Sequence, residues 1–186
     1  LSIARDLGDA GLIAWIVAGY MVAATVATPV YGSLSDLYGR QRMMTIGIVL
    51  YALACIGCAL AQSMPQLLVL RIVQGLGGGG LIVVAQSTIG DVVPPTERGR
   101  YQAWLSGTYA LAALVGPVTG GLLTTWFGWR AVFIATLPLA LIALLLTKRI
   151  MSRLKRPARV SAIDYPSVLI LALGLTGLMI ALTRIG

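Results

Sequence analysis

Few residues in this chain could do chemistry, and they cluster in four short stretches. RIVQGLGGGG (71–80) holds a literal G-x-G-x-x-G in Gly75, Gly77 and Gly80, and it opens on a lone arginine, Arg71. In a dinucleotide-binding loop such glycines let the backbone approach a pyrophosphate. Cys55 and Cys58 form a C-x-x-C, the spacing of a redox or metal pair. YGSLSDLYGRQR (31–42) sets one acid, Asp36, beside Arg40 and Arg42, between Gly32 and Gly39. Finally, Gly107 is followed after eight residues by Gly116-Pro117-Val118-Thr119-Gly120-Gly121.

What these residues can do depends on the elements that carry them. Hydrophobic residues make up 58% of the chain and charged ones 11%, against about 25% charged in a soluble domain, and the mean hydropathy is +0.90. The charges gather between long apolar runs at 12–31, 43–61, 67–89, 101–126, 129–147 and 166–182. Roughly 20 apolar residues cross a bilayer as a helix. Each run is too long for a barrel strand and lacks alternation. The expected fold class is therefore all-α, a polytopic transmembrane helix bundle. Three regions follow: a bundle over 1–147, a basic linker over 148–163 with six Lys/Arg and no acid, and a further helix over 164–186.

That setting removes the first two chemistries. The glycines lie inside one apolar run, with no strand before them, and no G-x-x-x-x-G-K-[ST] occurs in the chain. They offer instead a flat helix face, Gly75 and Gly79 forming a small-xxx-small pair. The cysteines also sit mid-span, without a second pair or any histidine, so close helix packing is the expected role and no metal or cofactor is expected. The spans hold no nucleophile–base set or paired carboxylates, which argues against an enzyme.

The net charge of +8 reads as topology. Arg40, Arg42, Arg98, Arg100, Lys148, Arg149, Arg153, Lys155, Arg156 and Arg159 fall on one side of the spans, whereas Arg5, Arg130 and Arg184 fall on the other. Ten against three puts the basic loops in the cytoplasm. With no soluble basic domain, nucleic acid is not an expected partner. The bilayer is, and the linker is suited to the anionic cytoplasmic leaflet.

Arg71 lies about four residues into its span. It either snorkels to the outer surface or faces the bundle interior, where Gln74 and the deeper Gln86 would extend a polar stripe along an aqueous cavity. Asp36 and Arg40 share a short loop, and Asp91 ends a span on the same side, so an Asp36–Arg40–Asp91 cluster competes with a solvated turn. Pro117 removes a backbone hydrogen bond and kinks its helix. The flanking glycines would let another helix nestle there, unless the kink is an ordinary structural one.

Taken together, these motifs resemble the major facilitator superfamily. GSLSDLYGRQR is similar to its loop between spans two and three, G-x-L-x-D-x-x-G-R-x-R. LRIVQGLGGG resembles its fourth-span motif, and G-x8-G-P-x-x-G-G its fifth-span antiporter motif. The resemblance makes the chain a partial N-terminal half covering family spans two to seven. DVVPPTERGRYQ, WFGWRAVFIATLPLAL and the linker of about 16 residues resemble the fourteen-span EmrB/QacA-type drug:proton antiporters. It implies a cytoplasmic gate of Gly32, Asp36, Gly39, Arg40, Arg42 and Asp91, a proton-coupling cavity at Arg71, Gln74 and Gly75, and an antiporter kink at Gly107, Gly116, Pro117, Gly120 and Gly121. The implied function is proton-coupled export of amphipathic or cationic small molecules across the cytoplasmic (inner) membrane. Carriage of a specific metabolite (siderophore, sugar or amino acid), or a truncated piece that does not transport, stands as the alternative. One feature departs from the pattern: all six acids, Asp6, Asp9, Asp36, Asp91, Glu97 and Asp164, lie at span ends or in loops. The implied proton carboxylate would come from the family's first span, and transport would need that span and the remaining half.

The charge asymmetry predicts that residues 39 and 155 face the cytoplasm and residues 63 and 128 the outside. In single-cysteine variants of the full-length protein with Cys55 and Cys58 replaced, an impermeant thiol reagent applied to intact cells should label positions 63 and 128 and spare 39 and 155.

Overall fold

The computed structural model describes residues 2–8 and 10–151, with Ile170, Leu173, Gly174 and Gly177 beyond them. The expected span at 166–182 and nearly all of the linker lie outside the described residues. Every regular element among the described residues is a helix. A short helix α1 (Ser2–Leu7) and a 3-10 turn (Ala10–Leu12) lead into α2 (Ile13–Tyr38), α3 (Arg40–Leu60), α4 (Met64–Val92), α5 (Arg98–Phe127) and α6 (Arg130–Met151). These last five are long and apolar enough to cross a membrane. The shortest has 21 residues, about 32 Å of helix at the usual rise, against a hydrocarbon core of about 30 Å. In the bilayer each satisfies its backbone internally.

The helix ends follow local chemistry. At Gly39 φ is +93°, a conformation that side-chain-bearing residues rarely adopt. This one residue separates α2 from α3, and its N–H donates to Ser35 O at 3.1 Å. Helix α2 therefore continues through Gly32–Tyr38, so the expected loop is a helix end and Asp36 sits on α2. Ser63 caps α4, its hydroxyl accepting from Gln66 N, and Pro94-Pro95 follow its last turn, where proline cannot continue a helix. Gly128, with φ +84°, turns the chain from α5 into α6.

Packing centres on α4, which lies along α2 and α3; α3 also packs along α6. The glycine run of α4 makes this closeness available. A Cβ at Gly75 would strike the Tyr20 carbonyl, and one at Gly79 the backbone of Ala24. A Cβ at Gly77 would lie 2.5 Å from Tyr51 N and 2.9 Å from its Cα, and Gly80 lies under the ring of Tyr31. The run therefore presents two bare faces, one to α2 and one to α3. Close approach also lets Thr28 Oγ1 donate to Gly79 O, 3.1 Å away on the neighbouring helix.

Helix α5 is the exception. None of its residues is buried, and among the described elements its main contacts, with α4 and α6, are sparse. It runs as one helix through Pro117. No atom of another element lies within 4 Å of a Cβ built at Gly107, Gly116, Gly120 or Gly121. The helix expected to nestle against these glycines is not among the described elements.

Two alanine substitutions separate these environments. Alanine in a helix gains about 0.5–1 kcal/mol over glycine when nothing obstructs it, whereas overpacking costs about 1–3 kcal/mol. In detergent-solubilised full-length protein, Gly77→Ala should lower the thermal midpoint, since its obstacle is backbone. Gly107→Ala, whose Cβ meets no backbone among the described residues, should lower it less.

Candidate functional site

Two polar centres interrupt the apolar bundle. The first lies at the Gly39 end. Arg40, first residue of α3, extends its guanidinium fork between α2 and α4. Its Nε donates to Asp91 Oδ2 at 2.9 Å, its Nη2 pairs with Asp36 Oδ1, and its Nη1 donates to Ser35 Oγ. The Ser35 hydroxyl, fully buried, donates in turn to Gly32 O at 2.8 Å. Arg40 is the shielded member, with 14% of its side chain exposed against 52% for Asp36 and 34% for Asp91. The structure thus brings Asp36, Arg40 and Asp91 together, across α2, α3 and α4. It leaves Arg42 exposed and outside the cluster. Gly32 makes only ordinary contact with Val83, and Gly39 supplies the turn. Ser35 was not anticipated. A hydroxyl four residues before a turn glycine has no signature, and its burial appears only once the helices pack.

The second centre lies inside the bundle. Arg71 does not reach outward along α4. Its Nη1 donates to Gln74 Oε1 at 2.9 Å, and its guanidinium carbon stands 5.5 Å from the ring centre of Tyr20 and 5.2 Å from that of Phe133. Ring faces attract cations most where water is excluded. Arg71 Nε is buried and makes no hydrogen bond among the described residues. Gln74, 2% exposed, donates through Nε2 to Cys55 Sγ at 2.9 Å. Cys55 therefore contributes a hydrogen-bond acceptor as well as a small volume, and Cys58 lies fully buried beside the same cluster. Both thiols are free.

Two expectations about this centre change. Gly75 does not line a cavity: it is buried against the α2 backbone. The polar stripe also divides. Gln86, twelve residues beyond Gln74, is about 120° round a 3.6-residue helix. It is exposed and lines an open cavity of about 490 Å³ between α4 and α5, with Ile82, Leu105, Ser106 and Tyr109. The lining of this cavity carries no charge. Tyr20 and Phe133 were missed because single aromatics in apolar spans look like packing residues. The signal available was a cation at membrane depth, which requires partners from other spans.

This geometry is that of a membrane bundle with an interior cation and an ion cluster at one end. The sequence profile of the Major Facilitator Superfamily matches residues 1–182. The chain belongs to the Major Facilitator Superfamily. Among its relatives, multidrug resistance protein 3 of Bacillus subtilis is 34% identical over 181 residues, 97% of this chain and 35% of that protein. The acurin A biosynthesis cluster MFS-type transporter of Aspergillus aculeatus is 33% identical over 192 residues, covering all of this chain and 34% of that protein. The chain thus spans about a third of the length of the curated relatives it matches. The structure of the xylose transporter XylE from E. coli, in an inward-open conformation, matches the whole chain with a TM-score of 0.64 at 17% identity, over 51% of that chain. That likeness carries the fold. The chain is a partial superfamily bundle in a multi-pass membrane protein.

The two glutamines should respond differently to loss of their amides. Removing one partner from a buried hydrogen bond costs about 1–3 kcal/mol, and an exposed substitution stays within about 0.5. Thermal unfolding should therefore show Gln74→Leu clearly destabilised, because it strips Arg71 of its carbonyl acceptor, and Gln86→Leu nearly unchanged.

Proposed function

We propose that this chain is part of a proton-coupled multidrug efflux antiporter of the EmrB/QacA-type branch, which exports amphipathic or cationic small molecules across the cytoplasmic membrane. The observation that carries this reading is the interior placement of Arg71 among Gln74, Tyr20 and Phe133. A charge at the centre of a span costs about 2.5–3.5 kcal/mol on insertion scales, and such charges mark ion and substrate pathways. A guanidinium with one unused buried donor is suited to bias a carboxylate supplied by the rest of the transporter, since a nearby cation favours the ionised acid. The uncharged cavity between α4 and α5, apolar with a few hydroxyl and amide groups, suits an amphipathic solute.

In this reading Gly32, Asp36, Gly39, Arg40, Arg42 and Asp91 serve a cytoplasmic gate. The ions are partly exposed, so they contribute little to stability, about 0–1 kcal/mol for a surface pair. They act by favouring one of two conformations. The kink residues Gly107, Gly116, Pro117, Gly120 and Gly121 form a bare face for a helix of the remaining half of the transporter. The name of multidrug resistance protein 3 supports the drug reading. A second Bacillus subtilis relative, 29% identical, is named multidrug transporter protein MdtP. The name of the Aspergillus relative, tied to a biosynthesis cluster, favours the alternative of a specific metabolite. A drug-susceptibility panel on cells expressing the full-length protein separates the two: broad resistance supports the first reading, and none, with export of a single compound, the second.

Two substitutions test the roles. Asp36→Asn should insert normally and abolish export. Arg71→Lys should be expressed at the parental level yet lose most extrusion of dye driven by a pH gradient in vesicles, because an ammonium lacks the planar fork that reaches Gln74 and two ring faces together. Extrusion at the parental rate by Arg71→Lys would reduce Arg71 to a packing residue.

A further inference from the structure

At the end of the bundle opposite Asp36, a third set of polar contacts joins segments far apart in sequence. Asp6 Oδ2, on α1, accepts from Trp129 Nε1 at 3.0 Å and from Arg130 Nη1 at 3.2 Å. Arg130 Nη2 donates to Ala61 O at 3.0 Å, in the α3–α4 turn, and its guanidinium lies 4.2 Å from the centre of the Trp129 ring. One carboxylate and one guanidinium thus tie α1, the start of α6 and the α3–α4 turn.

Directly beneath lies the larger of two buried apolar clusters among the described residues. Ile16, Cys55, Cys58, Ala61, Met64, Leu67, Trp129 and Phe133 are all buried there, in one cluster. Ile3 and Leu7 pack against it. They stand four residues apart, hence on one face of α1, while Asp6 is 53% exposed at its rim. Helix α1 therefore lies on the layer with its apolar side down and its acid against Arg130.

We propose that α1 is a lid over this end of the bundle, and that Asp6, Trp129, Arg130 and the Ala61 carbonyl are the clasp that keeps it closed to water. Ile3 and Leu7 seat α1 on the layer, so its position depends on tertiary contacts. The apolar contact of Ile3 and Leu7 has no direction; the clasp supplies the direction. Releasing Asp6 frees α1 to lift, and water then reaches the layer at its edge. Cys58, third from the end of α3 and fully buried, reports that event directly.

The test uses the full-length protein in membranes, with Cys55→Ser leaving Cys58 as the reporter among the described residues; any cysteine elsewhere is replaced. The probe is N-ethylmaleimide, which is small, uncharged and reaches both sides of the bilayer. With the clasp intact Cys58 should react slowly. Asp6→Ala and Arg130→Ala should each speed its modification about three- to ten-fold, as local opening becomes easier by one charge-assisted contact. The double variant should fall short of the product of the two single effects, because the Asp6–Arg130 contact is lost in both. Arg98→Ala, at the other end, should change nothing. Should Asp6→Ala fail to insert, Asp6→Asn is read in the same way, since it keeps an acceptor for Trp129 and loses the charge facing Arg130. Fast modification in the parental chain, or equal rates in the parent and the clasp variants, would overturn the proposal.

Discussion

The bundle depends on contact between bare backbones. Lipid tails are as apolar as leucine, so spans gain little by hiding side chains from lipid and associate through close van der Waals contact. Helix α4 achieves this by omitting side chains where it meets α2, at Gly75 and Gly79, and where it meets α3, at Gly77. These contacts fix both the distance and the rotation of α4. Rotation matters because α4 carries Arg71 one turn before the first glycine, Gln74 directly before it, and Asp91 at its far end. Once Gly75 lies against Tyr20 and Gly77 against Tyr51, Arg71 has to meet the Tyr20 ring and Asp91 has to meet Arg40. The polar centres are consequences of the glycine seams.

The two arginines show how one side chain is held in two settings. Arg40 stands at a span end and uses its fork fully, on two carboxylates and a hydroxyl. Water reaches both acids, so attraction is weakened and the cluster can come apart at small cost. Arg71 stands deeper, with one amide acceptor and two ring faces. Its partners are neutral, which leaves its charge uncompensated among the described residues and strongly felt by any acid brought close. The first arrangement suits a contact that is made and broken; the second suits a fixed field.

Packing is uneven along the chain. Helices α2, α3, α4 and α6 share buried layers, while α5 buries nothing. Its large apolar side chains, such as Leu111 and Leu114, and its glycines are all accessible. A span with glycines exposed to lipid would gain no packing from them, so their concentration on α5 fits a helix whose neighbour lies outside the described residues, in a superfamily whose matched curated relatives are about three times as long as this chain.

Some of this was determined by the sequence alone. Apolar runs of about 20 residues leave few choices but membrane helices, and the spans at 12–31, 43–61, 67–89, 101–126 and 129–147 all appear, each lengthened by a few residues. Charge pairs close in sequence were also readable: Asp36 and Arg40 are four apart, on either side of a glycine with positive φ. Composition could not assign the faces of helices that are apolar all round, because nothing in their periodicity distinguishes lipid from a neighbouring span. Only the tertiary structure decided that Gly75 is a contact and not a cavity wall, that Gln86 turns away from Gln74, and that Cys55 accepts a hydrogen bond. The same holds for Asp6 and Trp129, 123 positions apart. Their meeting depends on the path of four intervening spans, and local sequence carries no record of that path.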